Sequence, residues 1–201
     1  MATIKRLCVF CGSNFGRGGS YLEAARELGR LLARQGITLV YGGAGVGTMG
    51  ALADATLEAG GEVIGVIPQQ QTGEEMAHQG LTELHVVESM HERKAMMSEL
   101  ADGFVALPGG LGTLEEFAEA LTWAQLGLHR KPTGLLDANG YYGLFLAFLD
   151  HAVAEGFLRP TDRQLVLAGR DPDALITELQ RWEPQGKQRW EPVREPEGGP
   201  R

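Results

Sequence analysis

Residues 89–116 read SMHERKAMMSELADGFVALPGGLGTLEE, which sets a cationic pair, Arg93 and Lys94, and a carboxylate, Glu116, on either side of a glycine loop. The loop itself has a physical reading. Residues 103–107 form a short apolar run suited to a buried strand, Pro108 stops it, and Gly109, Gly110 and Gly112 allow backbone conformations that a Cβ would forbid. From Thr113 onward the apolar positions Leu114, Phe117, Ala118 and Leu121 fall at helical spacing, so an amphipathic helix follows. Free N–H groups and the positive end of its dipole face whatever lies over the loop, which favours a phosphate; a carboxylate would fit as well.

Upstream, Ser89 and Glu92 have the spacing of a capping box, which places Arg93 and Lys94 in the first turn of a helix over 89–100. Cations there oppose the helix dipole by roughly 0.3 to 1 kcal/mol each when exposed, and a nearby anion would relieve them. A solvated basic pair is the plain alternative. Glu116 also has two readings, because Thr113-x-x-Glu116 is itself a capping box, as is Ser20-x-x-Glu23. Helical projection sets Glu116 opposite the face of Leu114, Phe117 and Leu121 and beside Ala120 and Trp123, pointing away from the main core.

M-H-x-R-K at 90–94 followed by P-G-G-x-G-T-x-x-E at 108–116 resembles the Lonely Guy family of cytokinin riboside 5′-monophosphate phosphoribohydrolases, often labelled lysine decarboxylase-like. The resemblance extends to VFCGS at 9–13, VYGGAGVGTMG at 40–50, VIGVIP at 63–68 and TWAQLGLHRKP at 122–132. It implies a catalytic pair at Arg93 and Glu116. Lys94 and the loop from Gly109 through Gly110, Leu111, Gly112 and Thr113 to Leu114 and Glu115 would hold the nucleotide. Gly12, Ser13 and Gly43 of the earlier glycine loops would lie beside it, with Glu75 and Thr122 as further substrate contacts. Leu111 stands where many relatives have Tyr.

The implied reaction is hydrolysis of the N-glycosidic bond of a nucleoside 5′-monophosphate, with N6-substituted adenine as the family's base. Cleavage passes through an oxocarbenium-like sugar, so a carboxylate near C1′ can stabilise positive charge and orient or deprotonate water, the role assigned to Glu116. Arg93 is a poor proton donor and is assigned electrostatic work. No metal or organic cofactor is required. A general AMP nucleosidase, and a nucleotide or molybdenum-cofactor carrier using the same pocket without turnover, remain open alternatives.

Other chemistries fit less well. Gly45-x-Gly47-x-x-Gly50 matches a dinucleotide fingerprint, but Pro68, Gln69, Gln70 and Gln71 occupy the region where a ribose-binding acid belongs. Neither glycine loop ends in the Gly-Lys-Ser/Thr of a P-loop. Decarboxylation would need a pyridoxal phosphate Schiff base, and Lys94, the lysine inside the motif cluster, more plausibly serves a phosphate. His78, His85, His91, His129 and His151 show no metal spacing; His91, two residues before Arg93, could bond a purine ring. Cys8 and Cys11 sit three apart on a strand, hence on opposite faces, and read as buried thiols rather than a zinc or redox pair.

Strand and helix alternate along the chain: strands at 4–10, 37–41, 62–67, 103–107 and 133–136, helices at 20–35, 48–59, 89–100, from 113, and at 141–155. That rhythm predicts an α/β fold, a Rossmann-like parallel sheet with helices on both faces, in a single domain over 1–181. Residues 182–201, with four prolines and little apolar content, are expected to form a disordered tail. A net charge of −8 disfavours nucleic acid and anionic membranes as partners. The N-terminus lacks a signal-peptide apolar region and no run approaches the roughly 20 residues of a span, so a cytoplasmic protein is expected. Trp123 and the Met90, Met96 and Met97 group could serve a homodimer surface.

Overall fold

The computed structural model describes residues 4–72 and 77–183. Seven parallel strands form one sheet in the order β4-β3-β2-β1-β5-β6-β7. They are β1 (Arg6–Phe10), β2 (Thr38–Tyr41), β3 (Val63–Pro68), β4 (Glu83–Val87), β5 (Gly103–Ala106), β6 (Thr133–Leu136) and β7 (Val166–Gly169). Helices α1 (Ser20–Gln35), α2 (Gly47–Glu58), α3 (Met90–Leu100), α4 (Leu111–Gln125), α5 (Gly143–Ala154), α6 (Pro160–Arg163) and α7 (Pro172–Arg181) complete the described chain.

The two-residue period of the strands divides the core. Leu7, Val9, Leu39, Tyr41 and Val105 face α1, α2 and α7, where Leu28, Leu32, Leu52, Ile176 and Leu179 meet them. Cys8, Phe10, Val40, Phe104 and Ala106 face the other way, against Met97 of α3, Phe117 of α4 and Tyr142. The cysteines accordingly fall on opposite faces, both buried and free, and burial raises both thiol pKa values. Tight packing of α1 on α2 requires Gly29, where a Cβ would stand 2.6 Å from the Leu52 carbonyl oxygen.

The doubly wound parallel architecture agrees with the alternation in the sequence. β4, β7, α6 and α7 are additions to it. β4 and β7 are the two sheet edges, only partly covered, so they lack the continuous apolar run that marks the inner strands. α1 spans 20–35 as expected, while the starts of α4 and α5 move and the caps of α1 and α4 differ from the expected boxes. α1 starts after Gly19 and α4 after Gly110, neither with a side-chain cap, so Ser20 and Thr113 lie within the first turn and neither caps its helix. α5 starts at Gly143, leaving Tyr141 and Tyr142 in the turn before it. The Ser89 box does form: its hydroxyl accepts from Glu92 N at 3.1 Å, and the Glu92 carboxylate reaches one residue further back, to Glu88 N.

Among the described residues no helix is long and apolar enough to cross a membrane. Residues 184–201, which hold most of the expected tail, lie outside the described residues, as does Glu75.

Candidate active site

The strand order reverses between β1 and β5: the chain leaves β1 toward β2 on one side, and β5 leads to β6 on the other. Loops from the carboxyl ends of these two strands diverge and leave a crevice, the usual ligand position in such sheets. A cavity of about 620 Å³ opens there. The β1 loop (Gly12, Ser13, Asn14, Phe15), the start of α2, Arg93 of α3 and the β5-to-α4 loop line it.

Its two glycine-rich helix starts are used differently. The N–H groups of Thr48 and Met49, at the start of α2, both point at the Gly12 carbonyl, 3.1 and 3.3 Å away, and the Thr48 hydroxyl donates to the same oxygen while accepting from Gly12 N. The fingerprint glycines serve that closure: Gly47 has φ +62° and lies against the Ser13 carbonyl, and Gly50 packs on Gly45. The N–H groups of Leu111, Gly112 and Thr113 at the start of α4, by contrast, have no intrahelical partner by construction and border the cavity. Gly110 and Gly112 have open space around them. An anion therefore finds donors and a positive helix end at α4.

Arg93 and Glu116 meet beneath this loop. Arg93 Nη1 lies 3.1 Å from Glu116 Oε1, and both residues are only 8% exposed. Arg93 Nε donates to the Val66 carbonyl at 3.0 Å, which ties the guanidinium to β3. Burial raises the Glu116 pKa, Arg93 lowers it, and the net shift is upward. The expectation that Glu116 points away from the core is corrected: α4 buries Thr113, Glu116, Phe117 and Ala120, while Ala118 is exposed. A polar pair at the strand ends supplies the partner that makes this burial tolerable. The carboxylate meets Arg93 rather than the start of its own helix.

Of the other residues named from the sequence, Gly12, Ser13, Gly109, Gly110, Leu111, Gly112, Thr113 and Glu115 line the cavity. Lys94 does not. Its ammonium is held by Glu115 and, at 3.1 Å, by Glu119, in a small recess beside Trp123. Burial pulls its pKa down, the two carboxylates raise it, and the balance is upward. Gly43 sits behind the cavity wall, accepting from His78 N; Leu114 packs into the core cluster; Thr122 is exposed and donates to the Ala118 carbonyl. Sequence reasoning missed Tyr21, Met49, Gln71, Met90 and Tyr141 as lining residues. Met49 and Met90 belong to motifs singled out for other residues, Tyr21, Gln71 and Tyr141 to none, and only the crossing of the chain brings them together.

Fold and crevice define a doubly wound α/β protein with a cavity at the switch point, where a helix start without a side-chain cap adjoins a buried arginine–glutamate ion pair. The family model described as "Possible lysine decarboxylase" matches residues 49–179. The chain is 53% identical over 178 residues to the cytokinin riboside 5′-monophosphate phosphoribohydrolase of Rhodococcoides fascians, covering 88% of this chain and 90% of that protein. It is 48% identical over 181 residues to an Arabidopsis thaliana protein of the same name, covering 90% and 83%. It belongs to the family of cytokinin riboside 5′-monophosphate phosphoribohydrolases. Among solved structures, the molybdenum cofactor binding protein of Rippkaea orientalis superposes with a TM-score of 0.66 at 24% identity, covering 90% of this chain and 98% of that one. At that identity the likeness concerns the fold.

Proposed function

We propose that the protein hydrolyses the N-glycosidic bond of an N6-substituted adenosine 5′-monophosphate, releasing the free base and ribose 5-phosphate. One observation carries the reading: the buried Arg93–Glu116 pair opens onto the same cavity as the free N–H groups of α4. The relatives' names supply the substrate.

With the 5′-phosphate on the loop at 109–113, the sugar lies toward Glu116. As the bond from C1′ to the base nitrogen breaks, its electron pair leaves with the base and positive charge grows on the sugar, which the carboxylate stabilises. Glu116 then takes a proton from water as the water oxygen bonds to C1′; the departing base takes a proton from solvent, and Glu116 returns its own to solvent. Arg93 holds the carboxylate in place through Val66 and keeps it more acidic than burial alone would.

Lysine decarboxylation is disfavoured on the same geometry. A Schiff-base lysine must be available as a neutral amine, whereas Lys94 is held charged by Glu115 and Glu119 away from the cavity. The protein we propose is cytoplasmic, on the sequence argument, and homodimeric. Support for the dimer comes from α5, which is strongly apolar yet has no buried residue, with Leu144 88% and Phe148 62% exposed. Light scattering should give a dimer at micromolar concentration, and Phe148→Asp should dissociate it; a wild-type monomer would refute this.

Chromatography of released base tests the reaction. Isopentenyladenosine monophosphate should be cleaved at least about 100-fold faster than its nucleoside, because losing the phosphate anchor forfeits a few kcal/mol. Equal rates would leave a general nucleoside hydrolase, equal preference for AMP an AMP nucleosidase, and no release a binding protein.

A further inference from the structure

Tyr141 and Tyr142 lie between β6 and α5 and both reach back to the segment that carries the glycine loop. The Tyr142 hydroxyl donates to the Leu107 carbonyl at 2.6 Å, inside the core. The Tyr141 hydroxyl donates to the Gly109 carbonyl, also at 2.6 Å, on the cavity wall. Those two carbonyls flank Pro108, where β5 gives way to the loop.

We propose that Tyr141 is a positioning residue for the anion site: its hydroxyl fixes the Gly109–Gly110 peptide plane so that the Gly110 N–H is presented to the substrate phosphate. The identity of the anion rests on the function proposed above; the positioning role does not.

In a planar trans peptide the carbonyl and the following N–H point in opposite directions. A carbonyl drawn toward Tyr141 therefore turns the Gly110 N–H the other way. Thr113 packs against Gly109 and Leu114 N donates to the Gly110 carbonyl, but a Cβ on Gly110 would find open space, so the rotation of the plane between these two glycines is left to an external partner. An external hydrogen bond from a stiff aromatic side chain supplies the missing restraint.

Tyr141 is itself well supported. Asp137 Oδ1 accepts from Tyr142 N at 2.7 Å, and Asn139, in the left-handed region at φ 56°, donates to the Ser20 hydroxyl. The Tyr141 ring meets Tyr21 and Tyr142 edge-on, with centroids 5.8 and 5.1 Å away. Tyr21 in turn needs Gly16, where a Cβ would stand 2.7 Å from its ring. The β1 loop, the first turn of α1 and the β6-to-α5 turn thus converge on one side chain whose polar end touches the glycine loop. Pre-organised donors of this kind add affinity because the ligand need not order them.

Tyr141→Phe removes the hydroxyl and keeps the ring. KM for the nucleoside monophosphate, and the inhibition constant of inorganic phosphate, should each rise about five- to tenfold, with kcat changed less than about twofold and kcat/KM for the nucleoside unchanged. Tyr142→Phe is the comparison, expected to lower the melting temperature without the phosphate-specific effect. Unchanged constants in Tyr141→Phe, an equal loss on nucleotide and nucleoside, or a melting temperature lowered as far as in Tyr142→Phe with no effect on phosphate would overturn the proposal. Calorimetric titration of the wild type and Tyr141→Phe with inorganic phosphate separates the two readings. If the wild type releases no base, the hydrolase reading falls, and the weaker phosphate binding of Tyr141→Phe still decides the role of Tyr141.

Discussion

Gly42 and Arg93 compete for one space: a Cβ built on Gly42 would fall inside the van der Waals envelope of the Arg93 Nη2. Gly42 follows β2, and the absent side chain is what lets the guanidinium cross to Glu116 on α4. Gly42→Ala should therefore act at a distance. The flexible guanidinium can move aside, so the fold should survive with a melting temperature within a few degrees of wild type, while kcat falls by about tenfold or more, approaching the loss in Arg93→Ala. An alanine variant with wild-type kcat would show that the position of Arg93 is immaterial.

Glu116→Gln keeps size and shape and removes the charge. Because Glu116 meets Arg93 and does not cap α4, the helix should persist, and circular dichroism should be unchanged. Turnover should drop by about 100-fold or more while the nucleotide still binds, the pattern of a group needed in the transition state. Near-normal turnover would assign Glu116 to structure alone.

The raised pKa of Glu116, caused first by burial and opposed by Arg93, sets the pH profile. Glu116 acts ionised, so kcat/KM should fall as pH drops through a value above the usual carboxylate range. Removing the Arg93 charge takes away the opposing effect, so the acid limb of Arg93→Ala should lie higher still. The sign also governs folding. With the folded pKa above the unfolded one, the contribution of Glu116 to stability is present at low pH and lost as pH rises through the folded pKa, so Glu116→Gln should gain on wild type across that window in melts. An acid limb in the ordinary carboxylate range would contradict both.

Lys94 bridges two carboxylates of α4 from α3. Lys94→Ala should cost about 1 kcal/mol or less of stability, since Glu115 is largely exposed, and should leave KM for the monophosphate within about threefold of wild type. A rise of tenfold or more would restore the phosphate-binding role that the motif assigns to Lys94.

Legibility followed the physics of each segment. The inner strands are buried on both faces and show as apolar runs, and the alternation with helices fixes their parallel pairing, so five strands and the sheet class could be read directly. Edge strands β4 and β7 could not, because ELHVV and VLAG are half-covered and carry a weaker signal. Arg93 and Glu116 stood out by motif, yet their contact depends on a glycine after β2 and on the turn of α4 that buries position 116. Helical projection failed there because it ranked faces by apolar residues, and the buried face of α4 includes a carboxylate. Lys94 adjoins Arg93 in sequence, but neighbouring helix positions point about 100° apart, which sends it to Glu115 and Glu119 and not to Glu116. Tyr141 left no mark, since its partner is a carbonyl distant in sequence.

The Gly12 carbonyl, taken up by Thr48 and Met49, gives the crevice a polarity. One of its two glycine-rich helix starts is neutralised by the protein's own backbone, so of those two only α4 offers unengaged N–H groups to the crevice. On the proposed reaction, a ligand with a single terminal phosphate would be seated with its phosphate on the rim formed by α4 and the bond to be broken over the carboxylate. A longer phosphate chain would find the α2 start already engaged with Gly12, and on the proposed reaction the direction of entry and the choice of bond would become the same decision.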